Sequence, residues 1–200
     1  MNALLFPGQG SQVVGMGIEF YNNFNSVKEI FKKADNKLKF PISKVILEGP
    51  ENELQLTKNT QPAILIVSYS IFRIMKDEFN IDINEFKFFA GHSLGEYSAL
   101  VCSDALGFED SLYLLHERGK AMQDAVPLGE GKMIAVLGKK IDEIKSIIKS
   151  ANNNGVCEIA NDNAEGQVII SGSKKGVENF EKNLKDKKIK FIPLKVSAPF

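Results

Sequence analysis

The chain has 200 residues, a formal net charge of zero and 44% hydrophobic residues. These are ordinary values for a globular protein, so they exclude wholesale disorder and an overall charge that attracts nucleic acid or anionic lipid. The sequence has no apolar run of membrane-spanning length and no signal peptide, because the apolar residues 3–6 end at Pro7. We therefore expect a soluble, cytoplasmic protein that binds neither nucleic acid nor membrane.

The two cysteines, Cys102 and Cys157, are far apart in the sequence and lack the spacing of a metal site. We expect both to be reduced thiols in a reducing compartment, and we expect no bound metal.

Two short apolar segments, each followed by a glycine-rich turn, organise the first part of the chain. Residues 3–6 predict a buried strand that ends in the turn Pro7-Gly8-Gln9-Gly10. Residues 86–90 predict a second strand that runs into Gly91-His92-Ser93-Leu94-Gly95. If the two strands lie side by side, the two turns meet at one edge of the sheet.

Helical periodicity accounts for most of the remaining first part. Apolar spacing predicts a helix to residue 38 that is capped by Ser26, and a long helix from an N-cap at Thr60 to Phe79. Helices over 96–102 and 110–126 follow the second strand.

After residue 129 the pattern becomes strand, helix, strand, strand, helix, strand. This order is typical of a ferredoxin-like subdomain, which we expect over residues 130–195, with residues 1–129 and 196–200 in a larger subdomain. The smaller part contains 13 lysines and nine acidic residues. These lysines indicate a solvated surface or, as the alternative, a docking patch for an acidic protein.

The turn at 91–95 fits the G-x-S-x-G nucleophile elbow, because a strand precedes it and a helix follows. The small flanking residues let the chain reverse sharply and present the Ser93 hydroxyl, while the Leu94 N–H faces a carbonyl oxygen under attack. The best candidate for a second oxyanion donor is the Pro7–Gly10 turn, although the residues alone favour an ordinary strand-exit turn there. The alternatives are a glycine-rich turn with an incidental serine and an ordinary strand-exit turn.

A general base is missing from this set. The chain has two histidines, and His92 adjoins Ser93 in a tight turn where consecutive side chains diverge, so we expect it to shape the turn. His116 lies beside the buried stripe of its helix and is expected to be structural.

Arg118 is one of only two arginines, beside 23 lysines, and lies at the edge of the same buried stripe. Its planar guanidinium suits bidentate binding of a carboxylate, which is either a substrate group or a protein side chain in an internal salt bridge. Arg73 is expected at the surface.

In combination, these motifs resemble the malonyl-CoA:acyl carrier protein transacylase family of bacterial fatty-acid synthesis. The resemblance runs the length of the chain and is carried by the following segments: Phe6 to Gln12, Thr60-Gln61-Pro62-Ala63, Gly91 to Glu96, Arg118-Gly119, Met122-Gln123, Asn161, Gly166-Gln167-Val168 and Val196 to Phe200.

The resemblance implies an α/β-hydrolase-like core with an inserted ferredoxin-like subdomain. Ser93 would be the acylated nucleophile, with the N–H groups of Gln9 and Leu94 as the oxyanion hole and Arg118 on the malonyl carboxylate. Met122 and His92 would line the substrate side. The reaction would be ping-pong transfer of malonyl from malonyl-CoA to the phosphopantetheine thiol of acyl carrier protein, with no tightly bound cofactor and a monomeric complete enzyme.

The chain departs from the family pattern at its end. In the family the catalytic histidine directly follows the stretch that matches 196–200, so we expect a partial chain with little transferase activity of its own. Phe200 stands where related domains that select malonyl over methylmalonyl carry Phe. Two alternatives stay open, a serine hydrolase or thioesterase and a non-catalytic module that binds carrier protein.

Overall fold

The computed structural model describes residues 1–127, 129–150 and 155–194. The chain divides into two compact units, Met1–Ala121 and Met122–Phe200. This division falls eight residues before the boundary predicted at 129/130. Residues 196–200, which were predicted to join the larger part, lie outside the described residues.

The first unit is mainly helical, with one small sheet. Its elements are β1 (Asn2–Phe6), α1 (Ile18–Asn23), α2 (Asn25–Leu38), α3 (Ile42–Glu48), α4 (Glu51–Leu54), α5 (Thr57–Asp77), a 3₁₀ turn (Ile83–Glu85), β2 (Phe86–Gly91), α6 (Leu94–Cys102) and α7 (Phe108–Asp124). The sequence patterns predicted both strands and the helices α2, α5, α6 and α7, but not α1, α3 or α4.

β1 and β2 form a parallel pair in which Leu4 lies opposite Phe89 and Phe6 lies opposite Gly91. The prediction that β1 is a buried strand was wrong for half of its residues. Leu4, Phe6 and Phe89 pack with residues of α5 and α6. The side chains that alternate with them point the other way, and Leu5 is 78% exposed and Phe88 57% exposed.

Two predicted helix caps are also corrected. α2 begins at Asn25, and the Ser26 hydroxyl donates to Glu78 Oε1 at 3.2 Å instead of capping the helix. α5 begins at Thr57, three residues before the predicted cap. The Thr60 hydroxyl donates to the carbonyls of Leu54 and Leu56, so it bonds backwards inside the helix rather than accepting an amide hydrogen.

The second unit has the predicted element order. Its elements are β3 (Gly131–Leu137), α8 (Ile141–Ser150), β4 (Cys157–Ala164), β5 (Gln167–Ser173), α9 (Lys174–Asp186) and β6 (Phe191–Pro193). The four strands form an antiparallel sheet in the order β4-β5-β3-β6. Apolar residues of β3, β5, α8 and α9 form its core, including Ile134, Ile144, Ile170 and Phe180.

Both cysteines are free thiols, as predicted, and both are buried. Burial raises the pKa of Cys102 to about 12 and that of Cys157 to about 11, because a thiolate loses hydration in an apolar surrounding. Across the three described ranges, no helix is both long enough and apolar enough to cross a membrane.

Candidate active site

Ser93 occupies a sharp, strained turn between β2 and α6. Its backbone angles are φ 55° and ψ −112°, which a residue with a side chain seldom adopts. A Cβ on Gly91 would collide with the Gly95 backbone, and a Cβ on Gly95 would lie 2.5 Å from the Phe6 carbonyl oxygen. The two glycines of G-x-S-x-G are therefore needed for close backbone contact, and the Ser93 side chain is exposed at the top of the turn.

The parallel pairing of β1 and β2 brings their following turns together. Gly8 packs against the elbow so closely that a Cβ there would lie 2.8 Å from the His92 oxygen. In the elbow, the N–H groups of Gly95 and Glu96 donate to the carbonyls of His92 and Ser93 at 2.9 and 3.1 Å. The Leu94 N–H precedes both, in the first turn of α6, where helix geometry provides no acceptor.

Pro62 of α5 and His116 of α7 account for the contact between these two helices. Pro62 lies inside α5 and has no N–H, so the carbonyl of Lys58, four residues earlier, loses its helical partner. His116 of α7 has its Nδ1 3.0 Å from that carbonyl oxygen. Since a carbonyl can only accept, Nδ1 carries the hydrogen. The predicted structural role of His116 is confirmed, and its function is to satisfy the carbonyl that Pro62 leaves without a donor.

The same contact positions Arg118. Gly119 lets the two helices touch, because a Cβ there would lie 2.5 Å from Lys58 Cα. Arg118, between His116 and Gly119, donates from Nη1 to Gln61 Oε1 at 2.6 Å and from Nη2 to Ser93 Oγ at 3.0 Å. Its Cζ also lies 6.0 Å from the centre of the Tyr97 ring. The guanidinium and the hydroxyl, 25 residues apart in sequence, therefore form one site.

The partners of Arg118 are neutral. Within the part of the chain that the structure describes, no carboxylate lies within ion-pair distance of it. The alternative of an internal salt bridge is therefore wrong for these residues. Arg73 shows the contrast, because the Tyr69 hydroxyl and Asp77 bind its guanidinium at the surface and raise its pKa. Arg118 keeps a half-buried positive charge beside an exposed hydroxyl, which suits an anionic ligand.

The structure gives the positions of His92 and Met122 but, among the described residues, no contact that assigns them a role in substrate binding. His92 is exposed in the elbow, where its Nδ1 lies beside Gly8. Met122 lies on α7 one turn beyond Arg118 and is half-buried, at the first residue of the second unit. The roles of both in substrate binding stay predictions, as do those of Gln9 and Leu94.

Sequence reasoning gave no role to Gln61 or Tyr97, which the structure places around the guanidinium. Gln61 is fully buried although it is polar. Its position directly before Pro62 was a usable signal, because a proline within a helix exposes a carbonyl that another element must approach. Tyr97 lies four residues after Ser93, one helical turn along α6, so helical spacing alone could have placed it near the hydroxyl.

The arrangement can perform nucleophilic chemistry on an acyl group that carries a negative charge. Ser93 supplies the hydroxyl and Arg118 supplies the cation, while amide hydrogens from the two turns stay a prediction. Among the described residues, the hydrogen bond to the Ser93 side chain comes from Arg118, not from an imidazole. The proton of the hydroxyl needs an additional base.

Comparison with known proteins gives a consistent picture. The sequence model of the acyl transferase domain matches residues 3–197. The malonyl CoA-acyl carrier protein transacylase of Bacillus subtilis is 45% identical over 200 residues, which are 99% of this chain and 62% of that protein. The Haemophilus influenzae protein of the same name is 42% identical over 198 residues, 98% of this chain and 63% of its own length.

Solved structures are similar over the same extent. The acyl-carrier-protein-S-malonyltransferase of Bartonella henselae superposes with a TM-score of 0.92 at 41% identity, covering 100% of this chain and 64% of that one. A malonyl-transacylase in complex with its type II PKS acyl-carrier protein gives a TM-score of 0.90 at 38% identity, covering 98% and 63%. This chain thus spans somewhat less than two thirds of the length of these relatives. With the domain match covering nearly every residue, the chain belongs to the acyl transferase domain family.

Proposed function

We propose that this chain forms the nucleophile-bearing part of a malonyl-CoA:acyl carrier protein S-malonyltransferase of fatty-acid biosynthesis. The observation that carries the proposal is the 3.0 Å contact between Ser93 Oγ and Arg118 Nη2, with no described carboxylate paired to that guanidinium. A malonyl group has a thioester carbon and a carboxylate only two bonds further along. A nucleophile and a cation in direct contact suit such a short, charged acyl group.

In the proposed first half-reaction, Ser93 Oγ attacks the thioester carbon of malonyl-CoA. The C–O bond forms, the C–S bond breaks, and the hydroxyl proton passes through a base to the departing CoA sulfur. The N–H groups of Leu94 and Gln9 stabilise the negative charge on the carbonyl oxygen. In the second half-reaction the phosphopantetheine thiol of acyl carrier protein attacks the ester carbon. The C–S bond forms, the C–O bond to Ser93 breaks, and the thiol proton passes through the base to Ser93 Oγ.

The base is assigned to the part of the longer relatives that this chain does not cover. His116 is committed to the Lys58 carbonyl, and the resemblance implies a histidine beyond Phe200. We therefore expect the 200 residues alone to form little acyl-enzyme. Malonyl-CoA acts here as a substrate, and the proposal includes no tightly bound cofactor.

The finer architecture belongs to the same proposal. The strand order of the second unit supports a ferredoxin-like fold, and the strand–elbow–helix of the first unit supports an α/β-hydrolase-like core. A cytoplasmic location and a monomeric complete enzyme stay predictions.

A two-stage experiment tests the function. Calorimetric titration of the chain with malonyl-CoA and acetyl-CoA should show a preference for malonyl-CoA that Arg118→Ala reduces about tenfold to hundredfold. Arg73→Ala is the matched control, since its guanidinium lies at the surface and is paired, and it should leave the preference unchanged. Equal affinity of the unsubstituted chain for both thioesters would contradict the proposal.

The second stage measures transfer. The chain is joined to the segment of the Bacillus subtilis relative that lies outside the match, and labelled malonyl-CoA is supplied with acyl carrier protein. The expected product is malonyl-acyl carrier protein, with label on Ser93 when the carrier is omitted. Release of free malonate at the rate of thioester cleavage would indicate a thioesterase. Binding of carrier protein with no label on Ser93 would indicate a non-catalytic binding module.

A further inference from the structure

The turn after β1 contains the proposed oxyanion donor between two glycines. Gln9 follows Gly8 and precedes Gly10, which has φ 110°, in the left-handed region. A Cβ on Gly10 would meet nothing within 4 Å, so glycine is required there for its positive φ and not for close packing. A segment of this kind allows its peptide groups to rotate readily. An N–H that must face an oxyanion therefore needs something to hold it.

The first restraint is the Ser11 hydroxyl, which donates to the Gly8 carbonyl oxygen at 3.0 Å. That carbonyl and the Gln9 N–H belong to the same planar trans peptide, so they point in opposite directions. Holding the oxygen towards Ser11 turns the Gln9 N–H away from Ser11. One side-chain bond therefore fixes the direction of the proposed donor.

The second restraint is Gln12, which is more than nine-tenths buried. Its Oε1 accepts the Gly10 N–H at 2.7 Å, which fixes the peptide on the other side of Gln9. Its Nε2 donates to Gln55 Oε1 at 2.6 Å, next to the start of α5. The Gln9 side chain donates to Thr57 Oγ1 at 3.3 Å in the same region. The turn is thus anchored to the helix that also binds Arg118 through Gln61.

We propose that Ser11 and Gln12 are positioning residues that hold the two peptide groups flanking Gln9 in the one orientation that presents its N–H to the oxyanion. Neither residue touches the reacting atoms, and both act through the backbone of Gln9. This inference rests on the proposed function for its purpose. The restraint itself is a property of the turn and can be measured without any transfer reaction.

The test uses nuclear magnetic resonance on the ¹⁵N-labelled 200-residue chain. Residual dipolar coupling of the Gln9 N–H should fit one orientation in the unsubstituted chain. Ser11→Ala and Gln12→Leu should each reduce that coupling towards an average of two orientations. Ser11→Thr, which keeps the hydroxyl, should keep the coupling of the unsubstituted chain. An unchanged coupling in both Ser11→Ala and Gln12→Leu would overturn the proposal.

Loss of folding does not confound the Ser11→Ala result. The Ser11 side chain is exposed, and its hydrogen bond joins residues only three apart in sequence. If Gln12→Leu fails to fold, Ser11→Ala alone decides, and an unchanged Gln9 coupling in that variant overturns the proposal.

A kinetic readout then separates positioning from stability. In the joined protein of the transfer assay, Ser11→Ala should lower kcat about fivefold to tenfold and leave KM for malonyl-CoA within twofold, because the donor acts on the transition state. A rise in KM with kcat unchanged would contradict this role. If the joined protein transfers nothing, the proposed function fails while the dipolar couplings still decide the restraint.

Discussion

The two units place their polar groups differently. In the first unit, buried polar side chains cluster at the start of α5, where Thr57, Asn59, Thr60 and Gln61 are nearly inaccessible. In the second unit the core is apolar, and ion pairs such as Lys145 with Asp142 on α8 join exposed side chains. Burying a polar group is costly unless a partner is supplied. The first unit therefore buries polar side chains, at a cost in folding free energy, where α7 places Arg118 against α5. A purely structural helix would avoid this cost.

The largest effect should come from the close backbone contact under the elbow. Gly95→Ala would place a methyl 2.5 Å from the Phe6 oxygen and 2.8 Å from the Pro7 oxygen, neither of which is a flexible side chain. We expect the free energy of unfolding to fall by about 3 kcal/mol in urea titrations. Gly107→Ala is the control, because the nearest atom, Asp110 Oδ2, is 3.5 Å away. Similar losses for both variants would mean that the elbow is not tightly packed.

An intermediate effect should appear at the junction of α5 and α7. His116→Phe keeps a ring of similar size but removes the donor to the Lys58 carbonyl, which should cost about 1–3 kcal/mol of unfolding free energy. Pro62→Ala supplies a backbone N–H for the same carbonyl, so His116→Phe should cost about 1 kcal/mol less in that background. Urea unfolding of the four proteins of this double-mutant cycle measures the difference. If the changes in unfolding free energy from the two substitutions are additive, Pro62 and His116 do not act on the same carbonyl.

The smallest expected effect has the opposite sign. Ser93→Gly removes the backbone strain at φ 55°, which glycine tolerates, so the free energy of unfolding should rise by about 1 kcal/mol. The same substitution removes the nucleophile, so all acyl labelling should be lost. Lys188 of the second unit also has a positive φ, of 55°, and Lys188→Gly should stabilise by about 0.5 kcal/mol. Thermal unfolding checks both variants. A destabilised Ser93→Gly protein would show that the turn is not strained.

The sequence predicted the second unit better than the first for a physical reason. Its strands and helices follow local periodicity, so their order could be read residue by residue. In the first unit, the glycines and Ser93 identified the elbow because a sharp turn limits residue type locally. The exposed face of β1 and the start of α5 could not be predicted in this way. The exposed face of β1 depends on which elements cover the sheet. The contacts at the start of α5 involve His116, which is 58 residues from the Lys58 carbonyl that it binds.

The contact of Arg118 with Gln61 and Ser93 also leads us to expect a dependence on the buffer anion. If Arg118 binds the acyl carboxylate as proposed, we expect it to attract other small oxyanions as well, such as sulfate, citrate or free malonate. Screening lengths near 8 Å at physiological salt leave such close contacts largely intact, so competition at this position follows the identity of the anion more than the ionic strength. Titrations in phosphate and in a zwitterionic buffer of equal conductivity would therefore differ.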